Sequence, residues 1–248
     1  MTTLFPYLMY LVGIASAELI TALVDPMGGM IVHLVLVVLL ILSSAMVGSH
    51  PSHRLFLAMT LAPLIRIVGL SVSLPLFSEI YWYLLTSIPL LVGVLVIIRI
   101  LDLQPREIGL TPGKLPVQGL IALTGVSFGG IAFLILRPEP LAPILSWQYM
   151  VAPALILLIA TGFVEELAFR GVMQHASIQA LGPWGWVYTA GIYSVLQIGQ
   201  LSVLHWLFVL CVALFFGWVA KRTGSILGVS LSHGLANIGL LLVFPLLT

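Results

Sequence analysis

The chain has 248 residues, 61% of them hydrophobic and only 7% charged, with a formal net charge of +1. Soluble domains carry about 25% charged side chains, so nine basic and eight acidic residues cannot cover a water-soluble surface here. With a mean hydropathy of +1.22 the chain reads as an integral membrane protein, and a near-zero net charge leaves no basic patch for nucleic acid.

A bilayer core about 30 Å thick requires roughly 20 apolar residues per helix. On that criterion the sequence predicts spans at 5–24, 28–48, 55–76, 80–101, 117–136, 150–175, 184–200, 203–221 and 225–246. The expected fold class is therefore all-α, a polytopic transmembrane helical bundle of eight or nine spans. The count stays open at 184–221, where only Gln200, Leu201 and Ser202 separate one apolar run from the next. Turn formers mark other boundaries: Asp25-Pro26, Pro51, Pro112-Gly113, Pro138 with Pro140, and Gly182-Pro183. The opening Met1-Thr-Thr-Leu-Phe-Pro lacks the basic start and small-residue cleavage site of a signal peptide, so the first run is expected to be a retained span. A single cysteine, Cys211, rules out an intramolecular disulfide.

Lysine and arginine in short loops set orientation. With nine spans, Arg54, Arg99, Arg106, Lys114, Lys221 and Arg222 fall on the N-terminal side and Arg137 alone on the other. The expectation is a multi-pass protein of the cell membrane with its N-terminus and the 99–116 loop in the cytoplasm. Losing a span from the C-terminal half would put Lys221 and Arg222 on the wrong side, which favours nine. The one long polar stretch, Asp102 to Pro116, divides the chain. Residues 1–101 form an N-terminal four-helix part, 102–116 a cytoplasmic loop or hinge, and 117–248 a core that holds most of the intramembrane polar groups.

In chain order, Glu18, His33 and Arg66 come first. Glu18 and Arg66 are expected to pair across helices as an internal staple, and His33 to be a satisfied core histidine. Glu165, Glu166 and Arg170 then interrupt the apolar run from Val151 to Met173. A charge at bilayer depth costs about 2.5–3.5 kcal/mol on insertion scales, so such groups face the bundle interior and mark function. Glu166 and Arg170 are four apart and share a helix face. Glu165 lies about 100° further round and need not be taken up by the same arginine. A carboxylate left unneutralised in a low-dielectric cavity can act as a general base; the alternative is a purely structural ion pair. Tyr193 with Gln197 and His233 with Asn237 repeat the four-residue spacing. The first pair reads as packing and hydrogen bonding. The second reads either as inter-helix hydrogen bonding or as donors for a carbonyl or oxyanion. Its segment also carries Ser230, Ser232, Gly234 and Ala236, small residues that allow close helix packing. No His-Glu-x-x-His and no cysteine cluster is present, so neither a metal nor another cofactor is expected.

These elements, in this order, resemble the CPBP family of intramembrane proteases, the CAAX prenyl endopeptidase and bacteriocin-processing group. Its Glu-Glu-x-x-x-Arg motif is matched by Glu165-Glu166-Leu-Ala-Phe-Arg170, and its His-x-x-x-Asn motif by His233-Gly-Leu-Ala-Asn237. The intervening Phe-x-x-x-His motif reads Tyr193-Ser-Val-Leu-Gln197 here, so an ionisable histidine is replaced by an amide. Carried over, the resemblance implies that Glu165 activates a water, that Glu166 and Arg170 support it, and that His233 and Asn237 bind the oxyanion.

Two functions are expected from this. One is an intramembrane endopeptidase acting on a membrane-associated peptide or protein, with Gln197 impairing it. The other is a non-catalytic relative, a scaffold, assembly factor or subunit of a membrane complex that holds a helix, lipid or hydrophobic cofactor. Membrane lipid is a partner in both.

Overall fold

One proline and one aspartate set the first hairpin of this computed structural model, which describes residues 4–48, 50–72 and 79–247. Helix α1 (Phe5–Leu23) ends where Asp25 takes the N-cap of α2 (Pro26–Met46), its carboxylate accepting from the Gly28 amide at 2.7 Å with Pro26 in the first turn. Proline there forfeits nothing, because the first amides of a helix have no intrahelical partner. The third crossing is built from α3 (Ser52–Met59) and α4 (Leu61–Ser71), which meet at Thr60. Helix α5 (Glu79–Ile100) follows. The expected 55–76 span thus begins at 52, and its last residues from 73 lie outside the described ones.

After the 102–114 loop come α6 (Leu115–Leu136) and one long helix through Trp147–Leu181. The latter starts as α7 (Trp147–Ile156), opens into π-helical turns over Leu157–Glu165 and Leu167–Met173, and closes as α8 (Gln174–Leu181). Two residues loosen the α ladder there. Pro153 lacks an amide proton, and the Thr161 hydroxyl bonds back to the Leu157 carbonyl at 2.6 Å. Such wide turns are rare and recur at functional sites. Helix α9 (Gly185–Val195), α10 (Val203–Thr223) and α11 (Leu227–Ile238) complete the bundle.

Among the described residues, eight helices are long and apolar enough to cross a membrane, and no strand is present. The difference from a count of nine falls on 184–200. There α9 stops after 11 residues, and a 3₁₀ turn at Ile198–Gln200 and a left-handed Leu201 (φ 52°) follow. Even so, α9 returns the chain and α10 brings it back, since the Lys221 ammonium donates to the Pro183 carbonyl. The same end of the bundle collects the 102–114 loop. The Ile226 amide donates to Gly109 at 3.0 Å, and the Thr111 hydroxyl to Gly224 at 2.9 Å. Arg106, Lys114, Lys221 and Arg222 therefore share one end.

Large apolar side chains point outward along the spans, among them Leu34, Val38, Leu42, Leu120, Leu123 and Leu134. A soluble protein would not tolerate so continuous a surface, whereas lipid tails solvate it. Inside, one buried apolar cluster runs from Tyr7 in α1 to Val229 in α11. Helices α6 and α11 meet backbone to backbone: a Cβ on Gly125 would overlap the Ser232 carbonyl, and one on Gly129 would stand 2.6 Å from the Ala236 carbonyl. On the other flank of α11, a Cβ on Gly162 would come 2.6 Å from the Ser230 carbonyl. Small residues are what allow such approach. Polar bonds fix the register: Gly228 donates to Gln118 at 2.7 Å, and the Thr124 and Ser232 hydroxyls lie 2.9 Å apart.

Candidate active site

The π-helical turns present Glu165, Glu166 and Arg170 towards α9, α10 and α11. Glu166 is fully buried, and one of its oxygens, Oε1, is held by two partners, a guanidinium and an imidazole. Arg170 donates to it at 3.0 Å from one turn below, and His233 Nδ1 lies 2.9 Å away on α11. The Arg170 guanidinium is capped by rings, 4.5 Å from the Tyr193 centroid and 5.6 Å from that of Phe216. A desolvated cation gains from aromatic faces as well as from a carboxylate. Burying this pair is costly, and its geometry and extra partner offset part of the desolvation, while Glu166 Oε2 and Arg170 Nη2 stay without a hydrogen bond among the described residues.

Glu165 has a different environment. It is half-buried, lines a cavity of ≈ 410 Å³, and forms no ion pair among the described residues. Its Oε2 accepts a hydrogen bond from the Tyr193 hydroxyl at 3.2 Å. The same hydroxyl stands 3.5 Å from His233 Nε2. The two adjacent glutamates are therefore divided: Glu166 is locked into the helix packing, and Glu165 faces open space.

The cavity joins the motif residues. Glu165, Arg170, Tyr193, Gln197, His233 and Asn237 all line it, together with Phe128, Phe208, Val209, Val212, Phe216 and Leu240. Its walls are largely apolar with a few polar groups among them, the usual make-up of a ligand site. A second cavity of ≈ 250 Å³ adjoins it and shares Thr161, Glu165, Tyr193, Gln197 and Gln200. Arg66, Trp82, Thr86 and Ser87 form its far side.

Two of these positions carry contacts that their spacing does not specify. Asn237 faces the cavity, but one of its amide protons is already given to the Thr161 hydroxyl at 2.9 Å. An amide nitrogen has two protons, so one remains for a ligand. Thr161 is absent from the residues the sequence singles out; its signal there is its place four residues before Glu165, on one helix face. Tyr193, whose spacing reads as packing and hydrogen bonding, finds its partner in the very carboxylate expected to be the base. His205, at the start of α10, also reaches the cavity wall. Gln197 lines it without a side-chain hydrogen bond among the described residues.

Away from this site, the Glu18–Arg66 pair is present at 2.6 Å, and His33 Nε2 approaches Glu18 at 3.1 Å without hydrogen-bond angles. His175 bonds Gln179 at 2.7 Å and is 3.9 Å from Glu107. Among the described residues, no three His, Cys, Asp or Glu side chains gather as metal ligands do.

Comparison with known families matches residues 146–239 to the Type II CAAX prenyl endopeptidase Rce1-like model. The matched segment runs from the start of α7 to the end of α11 and so contains every motif residue of the site. No curated protein and no solved structure matches the chain.

Proposed function

We propose, for a chain that is Rce1-like over residues 146–239, that it is an intramembrane endopeptidase cutting a membrane-associated peptide or protein with a glutamate-activated water. The observation that carries this reading is the division between the glutamates. Glu166 takes both Arg170 and His233, which leaves Glu165 facing the cavity without a cation. A carboxylate so placed has an oxygen free to take a proton from water, and a low-dielectric wall strengthens each interaction with the charge that develops.

The roles follow from position. Glu165 is the general base. Arg170 and Glu166 hold the helix turn and, through Glu166, the ring orientation of His233. The second amide proton of Asn237 faces the cavity as a donor for the oxyanion, and His233 joins it through Nε2 once that nitrogen carries a proton. The apolar wall from Phe128 to Leu240 suits a hydrophobic side chain or acyl-like group beside the scissile bond. The basic end of the bundle, with Arg106, Lys114, Lys221 and Arg222, faces the cytoplasm by the positive-inside rule.

A second reading rests on Gln197. Where the family motif has histidine, an amide lines the cavity, and it cannot carry a proton. A non-catalytic relative would use the same cavity to hold a helix or lipid in a membrane complex.

The experiment that separates them is direct. The purified protein in proteoliposomes is incubated with a panel of membrane-anchored peptides, and products are read by mass spectrometry beside the Glu165→Gln variant. Cleavage by the wild type alone supports the endopeptidase. Equal cleavage by both proteins removes Glu165 as base, and no cleavage by the wild type favours the non-catalytic reading.

A further inference from the structure

Position 193 holds a tyrosine where the family motif has phenylalanine, a difference of one oxygen atom. The surrounding packing leaves that oxygen little freedom. The Tyr193 ring meets Phe169 edge-on at 4.9 Å and carries the Arg170 guanidinium at 4.5 Å over its face. A ring held by an edge and a cation cannot swing, so its hydroxyl is aimed. It points between Glu165 Oε2 at 3.2 Å and His233 Nε2 at 3.5 Å. The other nitrogen of the same imidazole is 2.9 Å from Glu166 Oε1.

A line of polar atoms therefore connects the cavity-facing carboxylate to the buried one. It passes through one phenol and one imidazole. Gln197 lines the same cavity but cannot serve in such a line, since an amide neither takes up nor releases a proton near neutral pH.

We propose that Tyr193 is a proton relay between Glu165 and His233, doing in this chain what a histidine at 197 would otherwise do. The proposal rests on the endopeptidase reading. As water attacks, its oxygen bonds the substrate carbonyl carbon, the C=O π pair moves to the oxygen, and Glu165 receives the water proton. Glu165 then passes that proton to the Tyr193 oxygen while the Tyr193 hydroxyl proton moves to His233 Nε2. Glu165 is again anionic, Tyr193 is neutral, and His233 is an imidazolium facing Glu166. On collapse the C–N bond breaks with its electron pair going to nitrogen. The proton returns from His233 through Tyr193 and Glu165 to that nitrogen, so amide and water become acid and amine. The buried Glu166 is what makes His233 a favourable place to hold the proton, as a carboxylate does for any imidazolium it orients. The 3.5 Å step is longer than a formed hydrogen bond, and contacts of this kind tighten when substrate fills a site.

Tyr193→Phe tests this cleanly, because it keeps the ring against Phe169 and Arg170 and removes only the oxygen. On a cleaved peptide, kcat is expected to fall by about 10²-fold or more, within the usual range for acid–base assistance, with KM unchanged. Mixed H₂O/D₂O rates should curve in the wild type, as more than one moving proton requires, and become linear in Tyr193→Phe. The double variant Tyr193→Phe/Gln197→His restores both residues of the family motif and should regain most of the lost rate. A hydroxyl with only a packing role would give no change in the isotope curve and no rescue. An infrared difference spectrum of wild type against Glu165→Gln isolates the Glu165 carboxyl band; an unshifted band in Tyr193→Phe overturns the relay. A wild type that cleaves while Tyr193→Phe keeps full kcat removes the relay alone. A wild type that cleaves nothing removes the endopeptidase reading and the relay together.

Discussion

His233 Nδ1 lies 2.9 Å from Glu166 Oε1, a contact that reaches across 67 positions of sequence from α11 to the π-helical turns. It makes Glu166 a structural residue as much as a functional one, since the same oxygen also holds Arg170 at 3.0 Å.

Removing Glu166 should therefore unfold the site. Glu166→Ala leaves the Arg170 guanidinium buried without its counter-charge, a change that costs about 3–5 kcal/mol for buried pairs. Thermal unfolding in detergent micelles should show a clear drop in midpoint. An unchanged midpoint would mean that Arg170 finds another partner.

Glu165 should behave in the opposite way. Its carboxylate accepts from the Tyr193 hydroxyl, so Glu165→Gln keeps a side chain of the same shape and loses at most about 1.5 kcal/mol. Hydrolysis is expected to fall by about 10²–10⁴-fold or more with the unfolding midpoint nearly unmoved. Comparing the two glutamates in parallel checks the division between them.

The donors on α11 are expected to act in a pair with Thr161. Asn237→Leu removes an amide that faces the cavity, and loss of one oxyanion donor costs about 10²–10³-fold in kcat. Thr161→Val removes the hydroxyl that holds that amide at 2.9 Å and should give a smaller fall in the same direction. Rates on one peptide substrate, with KM measured for each, distinguish misplaced catalysis from weakened binding.

Packing of α6 supplies a stability test that does not involve the site. A methyl at Gly125 would overlap the Ser232 carbonyl, whereas one at Gly119 on the same helix meets nothing within 4 Å. Gly125→Ala is expected to cost about 1–3 kcal/mol, as overpacking does. Gly119→Ala should be neutral or stabilising by up to about 1 kcal/mol from helix propensity. Unfolding midpoints that match in the two variants would contradict the close crossing.

Much of this is legible in the residues, and the reasons are physical. Apolar runs of about 20 residues identify crossings because lipid leaves few alternatives. The Glu166–Arg170 pair is readable because both residues lie on one helix turn. Most contacts made through space are not, the Glu18–Arg66 pair excepted. Nothing in local spacing brings His233 to Glu166 or Tyr193 to Glu165, and the π-helical turns shift side-chain directions away from the regular 100° per residue. The helix within 184–200 is shorter than its apolar composition suggests, because that composition hides a helix stop at Val195 and the left-handed Leu201. Thr161 looks like an ordinary threonine in an apolar run, although it lies one turn before Glu165.

The glycines of the α6–α11 seam never touch the cavity, yet they set the height at which His233 and Asn237 enter it. With Gly125 and Gly129 against one flank of α11 and Gly162 against the other, the helix is gripped along its length like a rule in a slot. A slip of one residue would rotate both side chains out of the cavity together by about 100°. The spacing between base and oxyanion donors is thus calibrated by residues that have no side chain at all.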